Sequence, residues 1–466
     1  MKAYSSKEYS FEDAAHLLRR AGFGGTPSEV EALRKLGPKL AVEKLLAFSK
    51  DDGTNPNPHH FRPILENATN AGQARGQAIN TLQGWWLHKM LTTTQPLKEK
   101  LTLFWHGHFA TGLDKVRNAF MLEEQNELFR SSGLGRFDDL VLEVSRNPAM
   151  LIYLDNAQNE KGRPNENYAR ELMELFTMGV NGGYTERDVQ ESARAFTGWS
   201  LEKTGKGNAK YAGKPKFKFY PGKHDDGQKT FLEERGNFNG SDIVRMTAQH
   251  PSTARFITGK LWRFFVSEDL PKATADELVK LWQDTGANIR EVLREILTSE
   301  QFYAPENRSS LVKSPIEYVV GALRSSAARP TPAQTIALVN QLESMAQVPF
   351  YPPNVKGWDG GLEWIADGTI LARLGFVGAL AGGKLPGRDP SAEKKQVPAA
   401  PIPNLSWPRG SSLEETIDLI GRHYLGAAPT GSLRKALEGF AKGRNTPDVA
   451  RQLAHLVLVS PQYQVA

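Results

Sequence analysis

Helix-start signals recur along this chain, and they constrain its fold more than any other feature. Thr26-Pro27-Ser28-Glu29 is a capping box with proline at the first helical position, where a missing N–H costs nothing. Similar starts stand at Thr185-Glu186-Arg187-Asp188, Thr274-Ala275-Asp276-Glu277, Asn288-Ile289-Arg290-Glu291, Ser314-Pro315-Ile316-Glu317 and Ser412-Leu413-Glu414-Glu415. Apolar residues then follow at helical spacing, as in Ile289, Val292, Leu293, Ile296 and Leu297. Gly179, Gly198 and Gly286 stand where left-handed C-terminal caps are expected. Strand candidates are few: Lys216–Tyr220 and Lys229–Leu232, read as one small hairpin. The expected class is all-α, a large irregular multi-helix globular domain with a small β-hairpin insertion at about residues 203–236.

A chain of 466 residues suffices for one large domain or two ordinary ones. Lys384–Gly410 holds six prolines and almost no apolar periodicity, so it reads as a linker. That divides the chain into a main helical domain, 1–383, and C-terminal helices within 411–466, expected to pack back on the main domain. The three short helices are expected at 413–425, 433–443 and 447–459.

Composition excludes several chemistries. With no cysteine, there are no disulfides, thiolate zinc sites, iron–sulfur clusters or cysteine nucleophiles. No apolar run reaches the roughly 18 residues that a membrane span needs. The net charge of +6 comes largely from seven lysines between Lys203 and Lys223 rather than from a basic groove, so nucleic acid is not an expected partner. Met1-Lys2-Ala3-Tyr4 lacks an apolar signal segment, and the expected location is cytoplasmic, or periplasmic by association or after leader removal.

Two segments carry residues suited to chemistry. Leu101–Phe109 contains His106 and His108 about a glycine; on an extended backbone both imidazoles would point the same way and could share a divalent metal. The structural alternative makes both histidines polar members of a packed aromatic helix end. Asn147–Gly179 is dense in amides and carboxylates: Asp155, Asn156, Asn165, Asn167, Arg170, Glu171 and Glu174. On its helix, Tyr168, Leu172, Leu175 and Phe176 form the apolar stripe, and Glu171 borders it. Paired carboxylates facing a cleft can act as general acid and base. The alternative is surface pairing, Glu166–Arg170 and Arg170–Glu174. His224 beside Asp225 is a further base or ligand candidate, and the loop Pro352–Gly361 offers Trp358 and Asp359.

His16-Leu17-Leu18-Arg19-Arg20-Ala21-Gly22-Phe23-Gly24, Phe104–Phe109, Asn165–Gly179, Arg194–Trp199, Lys313–Glu317 and Pro352–Gly361 together resemble a bacterial family, domain of unknown function 1800. The resemblance spans residues 10 to 460 or so. It implies a single unit and brings no established catalytic residue. It also implies a partner, since relatives are often encoded beside a sulfatase-like family, domain of unknown function 1501, many of whose members carry twin-arginine leaders.

Three functional expectations follow. The leading one is a hydrolase-like enzyme acting on a carbohydrate or polyhydroxylated polymer. Its catalytic groups would be Glu171, Glu174, Asp155 and His224, with Asn156, Asn165, Asn167, Arg170, Trp105, Trp358 and Asp359 binding substrate. The second is a metal-binding protein using His106 and His108. The third is a non-catalytic partner of a sulfatase-like protein.

Overall fold

The computed structural model describes residues 1–5, 9–49, 61–66, 70–202, 215–328, 330–381 and 411–466. The expected linker, 384–410, lies outside the described residues, as does most of the lysine-rich stretch. Helices dominate, and the strands form only two short two-stranded ribbons. The class is all-α with a minor β element. No described helix is long and apolar enough to cross a membrane.

The fold is organised around helix Pro96–His108, of which every residue except Gly107 is buried. A helix covered on all sides must bring its own polar partners inside. It contributes Leu97, Leu101, Phe104 and Trp105 to one core, and Leu103 to a second. The first core is closed by helices that include Phe137–Arg146, Gly240–Gln249, Pro251–Phe265 and Ile289–Leu297. The second joins Ala71–Thr92, Pro315–Ser325, Pro332–Ser344 and Asp367–Ala381 to the C-terminal helices, with Ile417, Ile420, Leu453 and Val457 in the same cluster as Leu82, Trp86 and Tyr318. Ala71–Thr92 and Pro332–Ser344 approach so closely that a Cβ on Gly84 would sit 2.5 Å from Ile336 Cγ1.

Local chemistry explains most helix starts. Reciprocal capping boxes form at Thr26, Thr185, Ser314 and Ser412, and Asn288 accepts from the Arg290 N–H. Thr274 is the exception: Lys272–Asp284 begins two residues earlier, behind Pro271, and Thr274 Oγ1 donates to Gln301 Oε1 at 3.1 Å. Gly179, Gly198 and Gly286 all take left-handed φ.

The β insertion differs from the expected hairpin. Phe217–Phe219 pairs antiparallel with Trp199–Leu201, and Lys229–Phe231 pairs with Glu234–Gly236, so the two expected strands never meet. Phe217 packs edge-on against Trp199, with ring centroids 5.2 Å apart, fixing the first ribbon. The second turns through Leu232 and Glu233, both at positive φ, a conformation that two-residue hairpins require and that these side chains do not advertise.

Candidate functional site

A cavity of about 280 Å³ opens between Pro96–His108, Pro251–Phe265 and the loop that follows Phe350. Two contacts place that loop. The Phe350 N–H donates to His106 Nε2 at 3.0 Å. Gly357, at φ +86, comes so close that a Cβ there would lie 2.3 Å from the Gly107 carbonyl oxygen. His106 therefore fastens the loop and sets Trp358 beside itself, ring centroids 5.7 Å apart. Burial lowers the His106 pKa to about 3.

The cavity floor is buried Arg20, Phe104 and His108 with partly exposed Glu317; Phe264, Trp358 and Trp364 form its walls, and exposed Arg263, Glu268, Lys356 and Asp359 rim its mouth. Arg20 Nη2 donates to the Asn307 carbonyl at 2.7 Å and to Ser310 Oγ at 2.8 Å, while its Nε and Nη1 have no partner. Burial, then Glu317 acting oppositely and Arg19 acting with it, leaves the guanidinium lowered to about 9. His108 Nε2 donates to the Phe176 carbonyl at 3.0 Å, which leaves Nδ1 unprotonated and without a partner. Burial and the nearby Lys260 charge keep this ring neutral. Lys260 is half-buried against the Phe256 ring, 5.3 Å from its centroid. Burial, Lys356 and Arg263 lower its amine to about 8.

Two of the three acidic side chains are already engaged, Glu317 by Lys100 and Asp359 by Lys356. Among the described residues this leaves Arg20, Lys260 and Arg263 facing one unpaired carboxylate side chain, Glu268. The site is thus suited to attract and orient an anion against an aromatic wall.

The sequence-predicted residues divide. His108, Trp358 and Asp359 line this cavity. His106 stands directly behind it, and the metal reading fails on its premise, because residues 106 and 108 lie on a helix rather than an extended strand. Their rings point to different neighbours, His106 to Trp86 and Phe350, His108 to Phe104 and Phe176. Among the described residues no group of three or more His, Asp or Glu is placed to hold a metal ion. Trp105 is fully buried and donates from Nε1 to the Gly133 carbonyl at 2.9 Å, so it is core and not a stacking surface.

The second segment lies elsewhere. Neither this cavity nor the two beside the C-terminal helices is lined by a residue of 155–174. Asp155 takes a left-handed φ of 58° and pairs with Lys115 at 2.7 Å. Asn156, buried, accepts from Asn159 Nδ2 at 3.1 Å; Asn165 Oδ1 accepts from the Asn167 N–H at 3.0 Å. These amides pin a turn. Arg170 bridges Glu166 and Glu186. Glu171 is half-buried, and its carboxyl is raised by burial and by Glu174, with Arg170 opposing. A π-helical turn follows at Leu172–Phe176, and its last carbonyl is the one that receives His108. The two segments meet there through backbone. His224 Nδ1 contacts the Thr197 carbonyl at 2.8 Å, and Asp225 pairs with Arg194.

Arg20, Lys260, Arg263, Glu268 and Trp364 were not among the expected site residues. A signal existed for Lys260: it interrupts an apolar stripe, Ile257, Leu261 and Phe264, on an otherwise packed helix.

No curated protein matches the chain, and no solved structure does. The family model described as "Protein of unknown function (DUF1800)" matches residues 16–465, nearly the whole chain. The chain belongs to this family.

Proposed function

We propose that the cavity between Pro96–His108, Pro251–Phe265 and the Trp358 loop binds an acidic saccharide or a similar polyhydroxylated acid. The observation that carries this reading is the convergence of Arg20, Lys260 and Arg263 on a cavity walled by Trp358 and Trp364. Indole faces suit the apolar side of a sugar ring, and cations wholly or partly removed from water, as Arg20 and Lys260 are, hold a carboxylate more strongly than surface lysines do. Titration calorimetry with oligogalacturonate against a neutral oligosaccharide of equal length tests it. The acidic ligand should bind more tightly, more so at low salt. Lys260→Met should weaken it about tenfold, which is about 1.4 kcal/mol. Equal affinity for acidic and neutral ligands would remove the reading.

A second reading, hydrolysis at Glu171 and Glu174, is favoured by one observation: burial and the Glu174 charge raise the Glu171 carboxyl, the condition for a general acid. Glu171→Gln and Glu174→Gln should each lose at least about a hundredfold in release of reducing ends from a susceptible polysaccharide. Unchanged turnover in both would exclude these carboxylates.

A further inference from the structure

We infer that Lys260 is a reactive amine that captures acidic carbonyl compounds, aldehyde or keto acids, as an imine within the cavity. The inference rests on the anion-binding reading above and adds a covalent step to it. An amine reacts as a nucleophile only when unprotonated, and two circumstances bring that about: removal from water and neighbouring positive charge. Both are built here. Lys260 is half-buried against Phe256, lines the cavity, and has no ion pair among the described residues. Lys356 and Arg263 stand close enough to disfavour its protonated form. The neighbouring ring, His108, is neutral and offers no negative charge to restore it. Glu268 lines the same cavity, yet Lys356 and Arg263 are the charges that act on Lys260.

The cations that favour the neutral amine also recruit the ligand. Arg20 and Arg263 would hold the carboxylate of a bound aldehyde or keto acid, placing its carbonyl against Nζ. The nitrogen lone pair then forms the C–N bond, one proton moves from nitrogen to the former carbonyl oxygen, and water leaves with a second nitrogen proton to give C=N. No oxidant or reductant is consumed. An acidic sugar in its open-chain form carries both required groups, an aldehyde and a carboxylate.

Glyoxylate is a suitable probe, because it is the smallest acidic aldehyde. The intact protein is treated with limiting glyoxylate and cyanoborohydride, whose hydride reduces the imine to a stable carboxymethyl amine, and peptides are mapped by mass spectrometry. At pH 7.5 Lys260 should be labelled at least tenfold faster than exposed lysines such as Lys2 or Lys280, and its labelling should rise through about pH 8. Oligogalacturonate should slow labelling at Lys260 alone, and Lys260→Arg should abolish the mark on that peptide. If the oligosaccharide raises the melting temperature while Lys260 labels no faster than surface lysines, the imine inference falls and the anion site stands. If neither the melting temperature shifts nor Lys260 is favoured, both fall.

Discussion

Replacing Arg130 by methionine should lower the unfolding free energy by about 3–5 kcal/mol, as read from urea denaturation at pH 7. The reason lies in helix Pro96–His108. Glu99 is fully buried on it, and Arg130 meets its carboxylate with two donors, Nε at 2.6 Å and Nη2 at 2.9 Å. Trp86 Nε1 adds a third donor at 3.0 Å. Arg130 also donates to Asn126 Oδ1 at 2.6 Å and pairs with Glu127 at 2.7 Å. Burial alone would favour a neutral arginine, but the two carboxylates hold its pKa above the usual value. Without the guanidinium, Glu99 would be an uncompensated charge with no route to water. The double replacement Glu99→Leu with Arg130→Met should recover most of the loss, less about 1 kcal/mol for the orphaned Trp86 N–H. A single variant that loses under about 1 kcal/mol would show that water reaches Glu99.

Much of the fold was legible because helix starts are written in side chains. Ser314 and Glu317 satisfy each other's backbone N–H groups whatever surrounds them, and the sequence shows both. The strand positions near 217 and 229 were legible for the same local reason. Their pairing was not, since it depends on Trp199, far along the chain, and on a turn through Leu232 and Glu233. The site shows the same division. Helical projection sets Glu171 at the edge of the apolar stripe and Arg170 and Glu174 nearer the opposite face, yet all three are half-buried, and the helix passes into a π turn at Leu172–Phe176. Reading His106 and His108 as a pair needed an extended backbone. Yet Pro96, Leu97, Leu101 and Trp105 already follow helical spacing up to that point, and the helix carries both rings apart. The cavity itself was out of reach. Arg20, Lys260 and Trp358 belong to three distant segments, and the third reaches the other two through the Phe350 N–H bond to His106 and the close approach of Gly357 to Gly107.

Glu317 gives the second large effect, and its dependence on pH identifies the cause. This carboxylate pairs with fully buried Lys100 and accepts from the Ser314 N–H at 2.7 Å. Burial disfavours its charge, but Lys100 and the Ser314 bonds outweigh that, so its pKa is lowered in the folded protein. It therefore adds stability above the ordinary carboxylate range, and that stability is lost as pH falls through the depressed value. Glu317 also opposes the burial that depresses Lys100, Lys313, Arg20 and Arg373, making it the counter-charge for a buried cationic group. Glu317→Gln should cost about 3–5 kcal/mol at pH 7. The loss should then change with pH in a definite direction. Amines that are neutral when folded and protonated when unfolded make stability rise with pH, by about 1.4 kcal/mol per unit for each proton. In Glu317→Gln, Lys100 loses the charge that opposes its burial and its pKa falls further, so urea midpoints measured from pH 6.5 to 9.5 should climb more steeply than in the unaltered protein. Parallel curves would mean that Lys100 keeps its proton without Glu317, and that another group balances the interior charge.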